Sequence, residues 1–228
     1  MKKTLLFSSI CCFFTRFKIS SIIGSYAAHF SALALVSPII GFQMTCTQLT
    51  IGFGGLFLWM LLHCNSAYSM MLLYHIPSVM GMAYSCLAHN RNATQSTGIA
   101  KTIIAALIPI LCIILFCTHP IGSHAWPYAL LWIFPCLFPL LKRPAFFWHA
   151  LASTLACHAV GSVLWLYSHH LTAHEWLTLM PITTMERLAI AVGCTGIYGV
   201  ITGIITHAKV QKNWNKFSLW IKLKINPV

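Results

Sequence analysis

The sequence predicts an all-α protein: a polytopic bundle of transmembrane helices with about six crossings and one further partial or re-entrant helix. Three observations carry that prediction. Of the 228 residues, 58% are hydrophobic and only 7% charged, and the mean hydropathy is +0.79; a soluble domain has nowhere to bury that much apolar surface. Apolar runs recur along the chain at the length of about 20 residues that a helix needs to cross a bilayer. The bases are also confined: Lys2, Lys3, Arg16 and Lys18; Arg91 and Lys101; Lys142 and Arg143; and Lys209, Lys212, Lys216, Lys222 and Lys224 all flank apolar runs. Only Arg187, of the 14 Lys and Arg, stands apart. The net charge of +12 therefore reads as cytoplasmic loops under the positive-inside rule, with a lipid bilayer and not nucleic acid as the partner. This places the chain in the inner membrane, multi-pass, with both termini cytoplasmic.

Three regions follow in order. Residues 1–19 form a cytoplasmic or interfacial segment, because the apolar run Thr4–Phe14 leads into Arg16 and Lys18 and not into a small-residue cleavage site. Residues 20–207 form the transmembrane domain, and residues 208–228 a basic amphipathic tail. In that tail lysines alternate with Trp214, Phe217 and Trp220, which suits the anionic inner leaflet.

The first crossing is expected over residues 20–41, where Gly24, Ala28 and Ala32 recur every four residues and make a flat ridge for a second helix. Residues 42–88 hold two apolar pieces. Leu49–Leu62 is short and glycine-rich and reads as partial or re-entrant; Tyr68–Leu87 carries the break His75-Ile76-Pro77. An even number of full crossings between the first two basic patches favours one full and one partial helix there. Residues 102–118 and 126–141 make the next pair, the second kinked by Pro127, Pro135 and Pro139. Residues 146–168 cross outward, 169–180 stay outside, and 181–207 return, opening on Pro181. The ten cysteines include no CxxC pair and read as small reduced residues.

The chemistry concentrates in residues 146–190, which hold both carboxylates of the chain, Glu175 and Glu186. On a helix, His158, Ser162, Trp165 and His169 fall on one line, and Ala150, Thr154, Cys157, Gly161 and Ser168 on an adjoining line of small side chains. The small line suits contact with a neighbouring helix. The histidine line suits a cavity, because an ionisable group in hydrocarbon is costly unless paired or wet. His29, His75 and His158 fall at membrane depth on three expected helices. The expected solute-binding set is His75, His158, Ser162, Trp165, Glu186 and Arg187, with His75 facing the others. Glu186 and Arg187 are sequence neighbours pointing about 100° apart on a helix, so they need not pair. His170 and His174, four residues apart beside Glu175, form a candidate metal site if they share a helical turn.

No GxxxxGK[ST], GxSxG or HExxH motif occurs, so the chain is expected to be neither a nucleotide hydrolase of that type nor an enzyme, and to carry no cofactor beyond a metal at those histidines. Energy for uptake would come from a partner. The size, the two cytoplasmic ends, the missing ATPase motif and the stretch Ala28-His29-Phe30-Ser31-Ala32 together resemble the substrate-binding S component of energy-coupling-factor importers. The resemblance implies docking of a shared transmembrane subunit through the AxxxA ridge, a partner complex that hydrolyses ATP, and a solute held towards the outer side of the bundle. The chain lacks the histidine that follows Met1 in the nickel and cobalt members. The expected function is binding and import of a small solute, a vitamin-like molecule or a metal. Two alternatives stay open: a membrane-embedded metal- or haem-handling protein or enzyme using the histidines, and a structural or assembly subunit.

Overall fold

The computed structural model describes residues 18–23, 26–31, 33–45, 47–51, 54, 66–89, 95–141 and 145–225. The chain divides into two compact units, Met1–Cys194 and Thr195–Val228. Almost all the described secondary structure is helical. Among the described residues, three helical stretches are long and apolar enough to cross a membrane, Gly98–Thr118, Phe146–Ser168 and Ala173–Ile204, and Trp126–Leu140 is a shorter apolar stretch.

The first departure from the sequence reading is at the start. Residues expected to open a helical crossing instead form an antiparallel ribbon, β1 (Lys18–Ile23) paired with β2 (Tyr26–Ser31), and helix begins only with α1 (Leu33–Gln43). Isoleucines at 19, 22 and 23 favour extended backbone, and Gly24-Ser25 is a dipeptide of the kind that joins hairpins. Ala28 lies on β2 opposite Ser21, and His29 opposite Ser20, so the four-residue spacing of alanines does not define a helical ridge there. Gly24 and Ala32 lie outside the described residues, as do residues 1–17, Asn92 to Thr94, Lys142, Arg143 and most of the expected partial helix at 49–64.

Helix α2 (Ser66–Ala88) contains Pro77 without a break, and α3 (Gln95–Thr118) contains Pro109. A short helix α4 (Pro120–His124) follows, entered through His119, whose Nδ1 accepts from the Ile121 N–H at 3.3 Å. Residues 126–140 are helical but broken, as the three prolines predict: a 3-10 segment Trp126–Trp132, α5 (Ile133–Leu137), and a 3-10 turn Phe138–Leu140. Pro139 cannot donate to the Pro135 carbonyl four residues back, and the Tyr84 hydroxyl fills that vacancy at 2.7 Å.

Helix α6 (Phe146–Ser168) sits at the centre of the first unit, packed on α1, α2, α3 and the 126–140 segment. About 61% of its span is buried, against 22% for the span of α3. The expected line of small side chains explains how neighbours come so close. A Cβ on Gly81 of α2 would lie 2.8 Å from Cys157 Cβ, and one on Gly161 would lie 3.5 Å from Pro77. The Ser153 hydroxyl donates to the Gly81 carbonyl at 2.9 Å, fixing the register. Against α1 the same device recurs, since a Cβ on Gly41 would strike the Met82 carbonyl oxygen. Ser85 donates to the Pro38 carbonyl at 2.8 Å and takes a 2.7 Å hydrogen bond with His149 Nε2, tying α1, α2 and α6 together. With the Ser85 proton committed to Pro38, His149 Nε2–H is the donor of the second bond.

Helix α7 (Ala173–Ile225) begins eight residues before Pro181 and runs through it, so Pro181 does not open the segment as expected. The start is set by a capping box: Thr172 Oγ1 accepts from the Glu175 N–H at 3.3 Å, and Glu175 Oε2 accepts from the Thr172 N–H at 2.7 Å and its hydroxyl at 2.9 Å. Within the first unit α7 presents one buried stripe, Trp176, Thr183, Arg187, Ala191 and Cys194, with Met180 partly buried between them. Ile182, Met185 and Val192, on other faces, are more than half exposed, as a lipid-facing surface requires. The second unit is helical to Ile225.

Candidate functional site

The polar centre of the first unit forms where three segments meet. Tyr128 comes from the broken 126–140 stretch, His158 and Ser162 from α6, and Thr183 from the buried stripe of α7. The Tyr128 hydroxyl lies 2.7 Å from His158 Nε2 and 3.3 Å from Thr183 Oγ1, and Ser162 Oγ lies 3.1 Å from the same His158 nitrogen. One imidazole nitrogen carries either one lone pair or one proton, so the two hydroxyls around Nε2 cannot both bond it in the same sense at full strength. Two proton arrangements therefore serve this knot. In one, Tyr128 donates to Nε2 and accepts from Thr183; in the other, Nε2–H donates and Tyr128 donates onward to Thr183.

One turn along α7 from Thr183 stands Arg187, only 2% exposed. Its guanidinium pairs with the neighbouring Glu186 at 2.9 Å, the Glu186 side chain being 31% exposed. Adjacent residues diverge on a helix, but two long side chains curl back to meet where the guanidinium would otherwise be buried with its charge unbalanced. The pair is tied to the knot through α7, whose Thr183, one turn before Arg187, contacts the Tyr128 hydroxyl.

Aromatic rings wall the knot. Phe116 and Tyr128 lie nearly parallel with centroids 5.8 Å apart. Trp132 meets both edge-on, at 5.2 and 5.9 Å, and Trp176 does the same at 5.3 and 5.1 Å. All four are buried. Tyr128 thus has hydrogen-bonding groups at its hydroxyl and aromatic rings against its ring.

Of the expected residues, His158, Ser162, Glu186 and Arg187 gather in this region. The histidine line on α6 divides into two contacts: His158 with Ser162, and Trp165 stacked on His169 with centroids 4.2 Å apart and planes 12° apart. Trp165 thus stacks at the helix end and also packs against the buried cluster that contains Phe116, Tyr128, Trp132 and Trp176. His75 is buried on α2. The pairing of Gly81 with Cys157 and Pro77 with Gly161 puts it level with Ser162 and Val163 on the antiparallel α6. The metal expectation loses its geometric premise. His170 precedes α7 and His174 lies within it, so they do not share a helical turn, and the Glu175 carboxylate caps the helix. Among the described residues no group of three His, Cys, Asp or Glu is placed to hold a metal ion.

Sequence reasoning missed Tyr128, Thr183 and the two tryptophans. Thr183 was within reach, because Trp176, Met180, Thr183 and Arg187 repeat at helical spacing and share one stripe. Tyr128 gave no such sign, since its segment has no single helical period. The capping box was visible as Thr172-Ala-His-Glu175. Compared with known proteins, the chain matches no family model, no curated protein and no solved structure.

Proposed function

We propose that this chain is a multi-pass inner-membrane protein, with about six crossings and both termini cytoplasmic, that binds a small organic solute at the Tyr128–His158 knot for delivery inward. The observation that carries the reading is one hydrogen-bonded group of polar side chains from three separate segments, His158 and Thr183 both meeting the Tyr128 hydroxyl, inside an apolar bundle. Buried polar groups cost free energy unless each is satisfied. Here two hydroxyls compete for one ring nitrogen beside a buried ion pair. A purely structural knot is satisfied by itself, whereas this one has bonding capacity to redistribute when a solute enters.

The chain carries no phosphate loop, so accumulation against a gradient falls to a separate energising subunit, in keeping with the resemblance to importer S components. Docking of that subunit is assigned to Gly24, Ala28 and Ala32, of which Ala28 lies on β2.

Native mass spectrometry of the gently purified full chain tests the reading. The expected result is a co-purifying organic mass that is reduced at least tenfold in Tyr128→Phe and His158→Ala, while the secondary structure of both variants is retained. Absence of such a mass, or one indifferent to both substitutions, overturns the proposal; stoichiometric metal in its place points to the metal-handling alternative.

A further inference from the structure

Beyond its role as a wall, the aromatic cluster next to the knot has a hydrogen-bonding imbalance of one sign. Trp132 is fully buried and Trp176 is 3% exposed, and the indole N–H of each is buried without a hydrogen-bond partner among the described residues. An indole nitrogen only donates. Buried donors are nearly always satisfied in folded proteins, and with no described residue accepting from this pair a bound acceptor would satisfy both. Both rings sit edge-on against Phe116 and against Tyr128. Tyr128 is also the ring whose hydroxyl enters the knot with His158. The bare donors therefore belong to the same neighbourhood as the proposed solute site.

The sign of the imbalance selects the chemistry. A cationic or ammonium-bearing solute would bring only more donors to a place that already holds two unmet donors. A carboxylate brings up to four acceptor lone-pair directions, enough for both indoles and for a hydroxyl of the knot. Hydrogen bonds to a charged acceptor are also the stronger kind, which matters where water is excluded.

We infer that the solute is an organic carboxylate whose oxygens are received by the indole N–H groups of Trp132 and Trp176 beside Tyr128. This rests on the reading of the Tyr128–His158 knot as a solute site and adds the class of solute. Trp132 and Trp176 are then the residues that set specificity for acid over amine.

The test uses the full chain in phosphatidylcholine nanodiscs with 15N-labelled tryptophan, and two fragment probes of like size and opposite charge, benzoate and benzylammonium. The spectrum of the Trp132→Phe and Trp176→Phe variants assigns the two indole signals, and exposed Trp126 serves as the control. Millimolar benzoate is expected to shift both signals saturably and to leave Trp126 unmoved, with benzylammonium inert. Each Trp→Phe change keeps a ring but deletes the donor, and is expected to weaken benzoate binding about tenfold. If either variant fails to fold, the saturable wild-type shift of two signals, against an unmoved remainder, carries the same information.

Benzylammonium acting on these signals overturns the inference. So do indole signals unmoved by benzoate that exchange rapidly with water, which would make water the acceptor. In both cases a co-purifying solute sensitive to Tyr128→Phe leaves the proposed function standing. If neither that solute nor any probe response is found, both fall together.

Discussion

Tyr128 and His158 lie thirty residues apart in sequence and meet at 2.7 Å. The contact depends on two unlike segments. α6 is a regular helix whose small side chains let it sit in the middle of the bundle. The 126–140 stretch is broken at its prolines, and the break lets Tyr128 enter the core while Trp126 and Leu130 stay exposed. A regular amphipathic helix there would present its residues at a fixed 100° interval. The 3-10 turn instead brings Tyr128, Ala129 and Trp132 inward together.

The packing of α1 on α2 predicts an asymmetry between glycines. A Cβ at Gly41 would strike the Met82 carbonyl oxygen and lie 2.6 Å from Ser85 Cβ, whereas one at Gly193 meets nothing within 4 Å. Gly41→Ala is expected to destabilise by about 1–3 kcal/mol, as overpacking does. Gly193→Ala is expected to be neutral or stabilising by up to about 1 kcal/mol, because alanine is the better helix former. Thermal unfolding of both variants in the same detergent checks this. Equal losses would mean that α1 does not lie against α2 as described.

The ion pair on α7 predicts a second pattern. Glu186→Gln leaves the Arg187 guanidinium buried without its counter-charge. Because the Glu186 side chain is 31% exposed, the expected loss is about 1–3 kcal/mol, below that of a fully buried pair. The double change Glu186→Gln with Arg187→Met removes the buried charge as well and is expected to be less destabilised than the single change. Chemical denaturation of the two variants decides it; a double variant weaker than Glu186→Gln would refute the electrostatic account.

The start of α7 yields a third. Thr172→Ala deletes both the cap on the Glu175 N–H and the hydroxyl bonded to its carboxylate, for an expected cost of about 0.5–2 kcal/mol. His174→Ala, at an exposed position, is expected to stay within about 0.5 kcal/mol. Amide exchange over residues 173–180 should rise in Thr172→Ala and not in His174→Ala. The reverse order would restore a role for His174 in holding this helix end.

The sequence by itself determined that the chain is helical and apolar, and it placed α6 at residues 146–168, since a run of that length and composition forms a helix in almost any surroundings. It also determined that Ala150, Thr154, Cys157 and Gly161 of α6 face neighbours, because helical periodicity fixes which side chains share a face, although Ser168 at the end of that line is exposed. It misjudged residues 20–31, where local extended preference and a Gly-Ser pair compete with apolar character, and Pro181, which a helix begun eight residues upstream accommodates. The pairing of Glu186 with Arg187 was also beyond it, because backbone direction alone does not say where long side chains end. Only the tertiary structure decided that Tyr128, His158, Ser162 and Thr183 share one hydrogen-bonded group and that the rings of Trp132 and Trp176 pack on Tyr128. Those relations join segments through space, and no period in a linear sequence records which face of one helix meets which face of another.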